Sequence, residues 1–172
     1  MNIHELAELT TRYIADNETA AIMAAIAYGE SGGRPDAQGD HLESYGAKWF
    51  NEYSPYAHNG YNSHGLFQVF MYWHREKLER LTGSKDVAVW ANWLHSPDNN
   101  MQIALEILAN QGFQAWSIYN VGVHKNYLEE ARREVLWWRH HREQPTPTEG
   151  PNDAINQIKA HLLAISDLLA TL

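Results

Sequence analysis

Apolar residues recur every three or four positions at Ile3, Leu6, Leu9, Tyr13 and Ile14, which predicts a helix over residues 3–15 with one buried stripe. Asp16 or Asn17 can cap the element that follows, and the small apolar run Glu18–Tyr28 predicts a second helix reaching about Glu30. Gly29-Glu30-Ser31-Gly32-Gly33 stops it, since glycine supplies positive φ at a helix end without steric cost. From Ser31 to Asn62 the period dissolves into Gly, Asn, Asp, Ser and Tyr, leaving a long irregular region with room for a short hairpin or one helical turn around Ala47–Phe50. Loops of that length inside a compact domain usually carry function.

Order returns at Gly65–Val69. Helices are predicted over Tyr72–Leu81, closed by Gly83, and over Asp86–Leu94. Ser96-Pro97-Asp98 opens another, with a capping hydroxyl, Pro at the first helical position and an acid at the positive dipole end. Met101, Ile103, Ala104, Ile107 and Leu108 carry it to Gly112. Trp116–Asn120 reads as a short turn or helix opening, and Lys125–Arg142 as a long charged helix.

Beyond it, residues 144–153 have the Pro, Thr and Gly composition of a linker. Ile155, Ile158, Leu162, Ile165, Leu169 and Leu172 then alternate steps of three and four, an a/d heptad seam. The organisation expected is a domain over 1–143, a linker over 144–153 and an amphipathic helix over 154–172. That helix would self-associate, dock on a virion partner or fold back onto the domain.

With 172 residues, 44% hydrophobic and 20% charged, the chain has the composition of a globular domain large enough to bury a core. A net charge of −8 argues against a nucleic-acid partner, which would favour a basic face. Without cysteine there is no disulfide or thiol chemistry. The first ten residues carry acids where a signal peptide has basic residues, and no run approaches the ~20 apolar residues of a membrane span. Seven Trp, nine Tyr and four Phe serve a core or a carbohydrate groove, since sugar C–H faces lie well on aromatic rings.

Glu30 is the chemically odd residue. In the last helical turn it faces the negative end of the dipole, at a cost of roughly 0.3–1 kcal/mol that favours its protonated form. Apolar neighbours such as Ile26 and Tyr28 would desolvate it in the same direction. A glutamate kept protonated near neutral pH is what a general acid for glycosidic cleavage requires.

Three segments follow one another: Glu30-Ser31-Gly32-Gly33-Arg34-Pro35-Asp36-Ala37, then Ser63-His64-Gly65-Leu66-Phe67-Gln68-Val69, then Trp116-Ser117-Ile118-Tyr119-Asn120-Val121-Gly122. In that order they resemble the soluble lytic transglycosylase group of the lysozyme superfamily, over roughly Thr19–Tyr127. The resemblance implies a mainly α (α+β lysozyme-like) fold, two helical lobes around a substrate cleft. It implies cleavage of the β-1,4 bond between N-acetylmuramic acid and N-acetylglucosamine in peptidoglycan strands, with no cofactor. Glu30 would be general acid and base, giving 1,6-anhydro products. Ser31 would orient it, Gly65, Leu66, Phe67 and Gln68 would floor the cleft and bind acetamido groups, and Tyr119 and Asn120 would close the other side.

The span from Glu30 to Gly65 is longer than is common in that group, and it holds four acids. If Asp40 or Glu43, the two best placed, faces Glu30 across the scissile bond, the enzyme would be a hydrolytic lysozyme instead. A third alternative is a catalytically idle glycan-binding or virion scaffold module. No metal site is expected among the ten histidines, which lack His-Glu-x-x-His spacing. A phage virion, or host cytoplasm before release to the wall, is the location expected.

Overall fold

The computed structural model describes residues 1–44 and 46–143; Tyr45, the linker 144–153 and the heptad segment 154–172 lie outside the described residues. Met1–Trp138 forms one compact unit. Among the described residues the chain is mainly α: helices α1 (Ile3–Tyr13) and α2 (Asn17–Ser31), then α3 (Ala47–Tyr53), α4 (Met71–Thr82), α5 (Val87–Leu94), α6 (Pro97–Gln111), the short α7 (Ser117–Asn120) and α8 (Lys125–Glu143). Three short strands, β1 (Gln38–His41), β2 (Tyr61–His64) and β3 (Val69–Phe70), form an antiparallel sheet in that order.

Local chemistry accounts for most boundaries. Asn2 and Glu5 form a capping box at the start of α1. The Asp16 carboxylate accepts from the Thr19 N–H at 2.7 Å and starts α2, while Gly32 in the left-handed region ends it. Asp86 caps α5 through the Ala88 N–H, and Gly83 closes α4. At Ser96 the expectation fails in detail: α6 starts there, but the hydroxyl makes no capping bond.

Apolar residues run all the way round α2, so it has no water-facing side to lose, and such a helix belongs in the interior. Ala20, Ala21 and Met23–Ala27 are all fully buried there. Leu6 and Leu9 of α1, Met101, Ile103 and Ala104 of α6, Trp116 and Ala131 join it in one core.

The irregular region is more ordered than its composition predicts. The hairpin half of the expectation becomes β1, which pairs Gln38 with His64 and Gly39 with Ser63, and the helical turn becomes α3, which extends to Tyr53. Both are held by long-range partners that local pattern cannot reveal. Asp40 interrupts the strand with φ of 55°.

Candidate functional site

A cleft of about 580 Å³ opens where these elements meet. It is lined by Glu30 of α2, Asp40 of β1 and Ser63 of β2, and by Phe67 and Gln68 of the turn that follows β2. Phe70, Trp73 and His74 at the start of α4 line it, as do Ile107 and Gln111 of α6 and the Ala115–Ser117 segment.

Glu30 is half-buried in the last turn of α2. α7 lies against that turn: a Cβ on Gly29 would sit 2.4 Å from the Ile118 side chain, so glycine at residue 29 leaves the room that this side chain fills. Burial pushes the Glu30 carboxyl above the ordinary carboxylate range. The Ile118 backbone N–H, hydrogen-bonded to it, pulls the other way, and the negative charge of Asp40 adds to the rise. The direction agrees with the sequence argument, but Asp40 and Ile118 are contributors that a dipole argument at the helix end does not include.

Asp40 shares the cleft, and its carboxylate accepts a hydrogen bond from the Ser63 hydroxyl. Its positive φ turns it out of regular strand geometry to reach that partner on β2. Gln68 also lines the cleft with a positive φ, of 49°. Left-handed backbone at residues other than glycine costs on the order of 1–3 kcal/mol each and clusters at functional sites. The Gln68 amide nitrogen donates to the Gly65 carbonyl at 2.8 Å and the Ala37 carbonyl at 3.3 Å, tying the turn to the start of β1. Its Oε1 occupies the space a Cβ on Gly39 would need, 2.1 Å away.

Beneath this turn Asn100, fully buried, acts as a clamp. Its amide donates to the carbonyls of His64 at 3.0 Å and Leu94 at 3.1 Å, and its Oδ1 accepts from the Phe67 N–H at 2.8 Å. Gly65, with φ of 82°, is required here: a Cβ would meet the Asn100 amide nitrogen at 2.1 Å and the Leu94 carbonyl at 2.5 Å. The Trp116 indole N–H donates to the Phe67 carbonyl at 3.1 Å and joins the third segment to the second.

Several residues predicted for the site have other partners. Ser31 is buried, and its hydroxyl donates to the Ala27 carbonyl at 2.7 Å and accepts from the Gly33 N–H; it finishes the helix rather than orienting Glu30. Leu66 is core. The Phe67 N–H is spent on Asn100, so it cannot also serve an acetamido group. Tyr119 stacks between Phe113 and His124, and the exposed Asn120 donates to the Gln114 carbonyl; neither lines the cleft, whose wall is Ala115–Ser117 one turn earlier. Glu43 is exposed, lies 3.8 Å from His41 and is absent from the lining, which leaves Asp40 of the two candidate acids.

Trp73, His74 and Gln111 had no signal as site residues in the sequence, and Ser63, Trp116 and Ser117 lay inside the motif segments without a role assigned to them. Phe70, Trp73 and His74 share helical spacing in a charged stretch, a pattern that marks a helix face but no site. Behind β2, His64 is fully buried; its Nδ1 lies 3.3 Å from His95 Nε2 and its Nε2 3.1 Å from the Tyr61 carbonyl. Burial lowers its pKa to about 4. Among the described residues no group of three or more His, Asp or Glu is placed to hold a metal ion, and no helix is long and apolar enough to cross a membrane.

The sequence model of a lysozyme-like domain matches residues 9–118, which runs from the second half of α1 to the start of α7 and includes every residue lining the cleft. No curated protein and no solved structure matches the chain.

Proposed function

The chain belongs to the lysozyme-like domain family, and from that membership and its cleft we propose that it cleaves the β-1,4 bond between N-acetylmuramic acid and N-acetylglucosamine, with Glu30 as proton donor. The observation that carries this is the half-buried Glu30 carboxyl, its pKa raised, opening into a cleft of about 580 Å³. Protonated, it gives its proton to the bridging oxygen as the C1–O bond breaks and the bond pair goes to the leaving sugar. Positive charge then develops on the muramyl ring.

What happens next depends on a second group. Asp40, anchored by Ser63 in the same cleft, would stabilise that cation or activate water. Water then adds to C1 and gives up one proton, to Glu30 where Asp40 only shields the cation or to Asp40 where it acts as the base, the hydrolytic outcome. The presence of Asp40 in the same cleft as Glu30 supports the hydrolytic reading. The second reading is transglycosylation, favoured by the order of the Glu-Ser, Gly-Leu-Phe-Gln and Tyr-Asn segments. There the ionised Glu30 takes the proton of the muramyl C6 hydroxyl, which closes on C1 without consuming water.

Zymography on purified cell wall with wild type and Glu30→Gln tests the proposal. Loss of about two to four orders of magnitude in rate is expected on removing the acid, and equal clearing by both proteins would refute it. Mass spectrometry of the released muropeptides separates the two outcomes: reducing ends mark the hydrolase, and 1,6-anhydro ends, lighter by one water, mark the transglycosylase.

A further inference from the structure

Aromatic rings continue outward from the cleft onto the surface. Phe70 and Trp73 both line the cleft, yet Trp73 remains 64% exposed. Near-perpendicular contacts hold its ring without covering it: Tyr72 at 4.7 Å and 75°, Tyr53 at 6.4 Å and 65°. Tyr53, only 7% exposed, also meets Phe70 at 5.2 Å and stacks on Trp49 at 5.5 Å. One buried ring thus braces the cleft wall, its lip and the outward face of α3.

What sets this indole apart from the other exposed apolar side chains is that it lines the cleft, and exposed apolar area that continues a groove is the kind that marks a binding surface. Resting on the glycan-cleaving reading above, we propose that Trp73 is the platform of an outer subsite. There it receives an N-acetylhexosamine ring of the same strand, beyond the two sugars that flank the scissile bond. The C–H face of that sugar lies on the indole. Its polar edge turns toward water and toward His74 and Gln111, which line the same stretch. A glycan strand is the occupant because the surface is continuous with the cleft through Phe70, and because polar side chains border the ring as an amphipathic sugar requires. Trp49 is a poorer platform, with Tyr53 stacked on it and the Lys48 ammonium 4.5 Å from its ring centre.

Trp73 would then determine how strongly the protein prefers long strands over short fragments. The test measures binding of N-acetylglucosamine oligomers, from trimer to hexamer, to Glu30→Gln by calorimetry. Trp73→Ala and Trp73→Phe are made in that background, with circular dichroism melts to establish folding. Trp73→Ala should weaken hexamer binding by about three- to tenfold and trimer binding clearly less, and Trp73→Phe should restore part of the loss. On cell wall, Trp73→Ala with Glu30 intact should raise KM more than it lowers kcat. A loss equal at every length, no loss, or light scattering that shows Trp73-dependent dimers would overturn the proposal, the last because a second copy would be the occupant. The two proposals fail separately. Length-dependent binding through Trp73 without any cleavage by wild type would sink the enzymatic reading alone. Cleavage with no length dependence would sink this one.

Discussion

Lowering the pH from 7.5 to 5 should cost the fold about 2 kcal/mol through His64 alone. In the unfolded chain this imidazole takes its proton near 6.5, whereas in the folded protein it does so only near about 4, chiefly because it is buried. The folded-state pKa is depressed, so the unfolded state binds the proton first as pH falls. Stability is therefore fully present above 6.5 and is lost as pH drops from 6.5 toward 4. The gap of 2.5 units, from 6.5 to about 4, corresponds to about 3 kcal/mol at the low-pH limit. His74 and His95, also lowered by burial, act in the same direction, so the slope of wild type is not enough. The decisive comparison is urea unfolding of wild type and His64→Gln at pH 7.5, 6, 5 and 4.5. At neutral pH the variant should be less stable, having lost a packed ring and its bond to the Tyr61 carbonyl. The difference between the two proteins should shrink by about 2 kcal/mol by pH 5, since the variant has nothing to protonate there. A difference constant to within about 0.5 kcal/mol across that range would mean that His64 charges as readily folded as unfolded, and the burial argument would fail.

Asp40→Asn should shift the basic limb of the pH profile of kcat/KM to lower pH, because the Asp40 charge helps to raise the Glu30 pKa; an unmoved limb would mean the two carboxyls do not interact. Under the hydrolytic reading the same variant should also release fewer reducing ends, measured by muropeptide mass spectrometry. Gly65→Ala should destabilise by about 3 kcal/mol in chemical denaturation, since a Cβ there requires left-handed backbone and displaces the Asn100 amide. Asn100→Ala should cost a similar amount, about 3 kcal/mol, by orphaning the buried Phe67 N–H and two carbonyls; a loss under about 1 kcal/mol for either would contradict the clamp.

The helices were legible because their signals are local. Periodicity placed α1, α2 and α4 to α6 within a few residues, with Asp16, Asp86, Gly32 and Gly83 marking ends by capping chemistry alone. The odd position of Glu30 was legible for the same reason. Less visible was anything made by two distant segments at once. Gly65 reads as a flexible turn residue until Asn100, thirty-five positions later, is seen filling the space of its missing Cβ. Gln68 reads as a sugar-binding amide, but its nitrogen closes the loop onto Ala37 and Gly65. Asp40 and Glu43 are equivalent acids in the sequence; a positive φ and a serine on the neighbouring strand separate them. Tyr119 and Asn120 form a conspicuous motif, yet the wall is built by Trp116 and Ser117, whose roles depend on how closely α7 approaches Gly29.

The burial of the middle of α2, from Ala20 to Ala27 with only Ile22 partly open, has a mechanical consequence. Its backbone amides can exchange with solvent only when the whole core comes apart, so the proton donor rides on the least compliant part of the molecule. Asp40, by contrast, sits on a four-residue strand, and α3 is mostly exposed; the amides of both should exchange through small local openings at far lower free energy. Any breathing that admits or releases a polymer thread therefore belongs to the Asp40 side, while the acid stays still, like the fixed jaw of a vice.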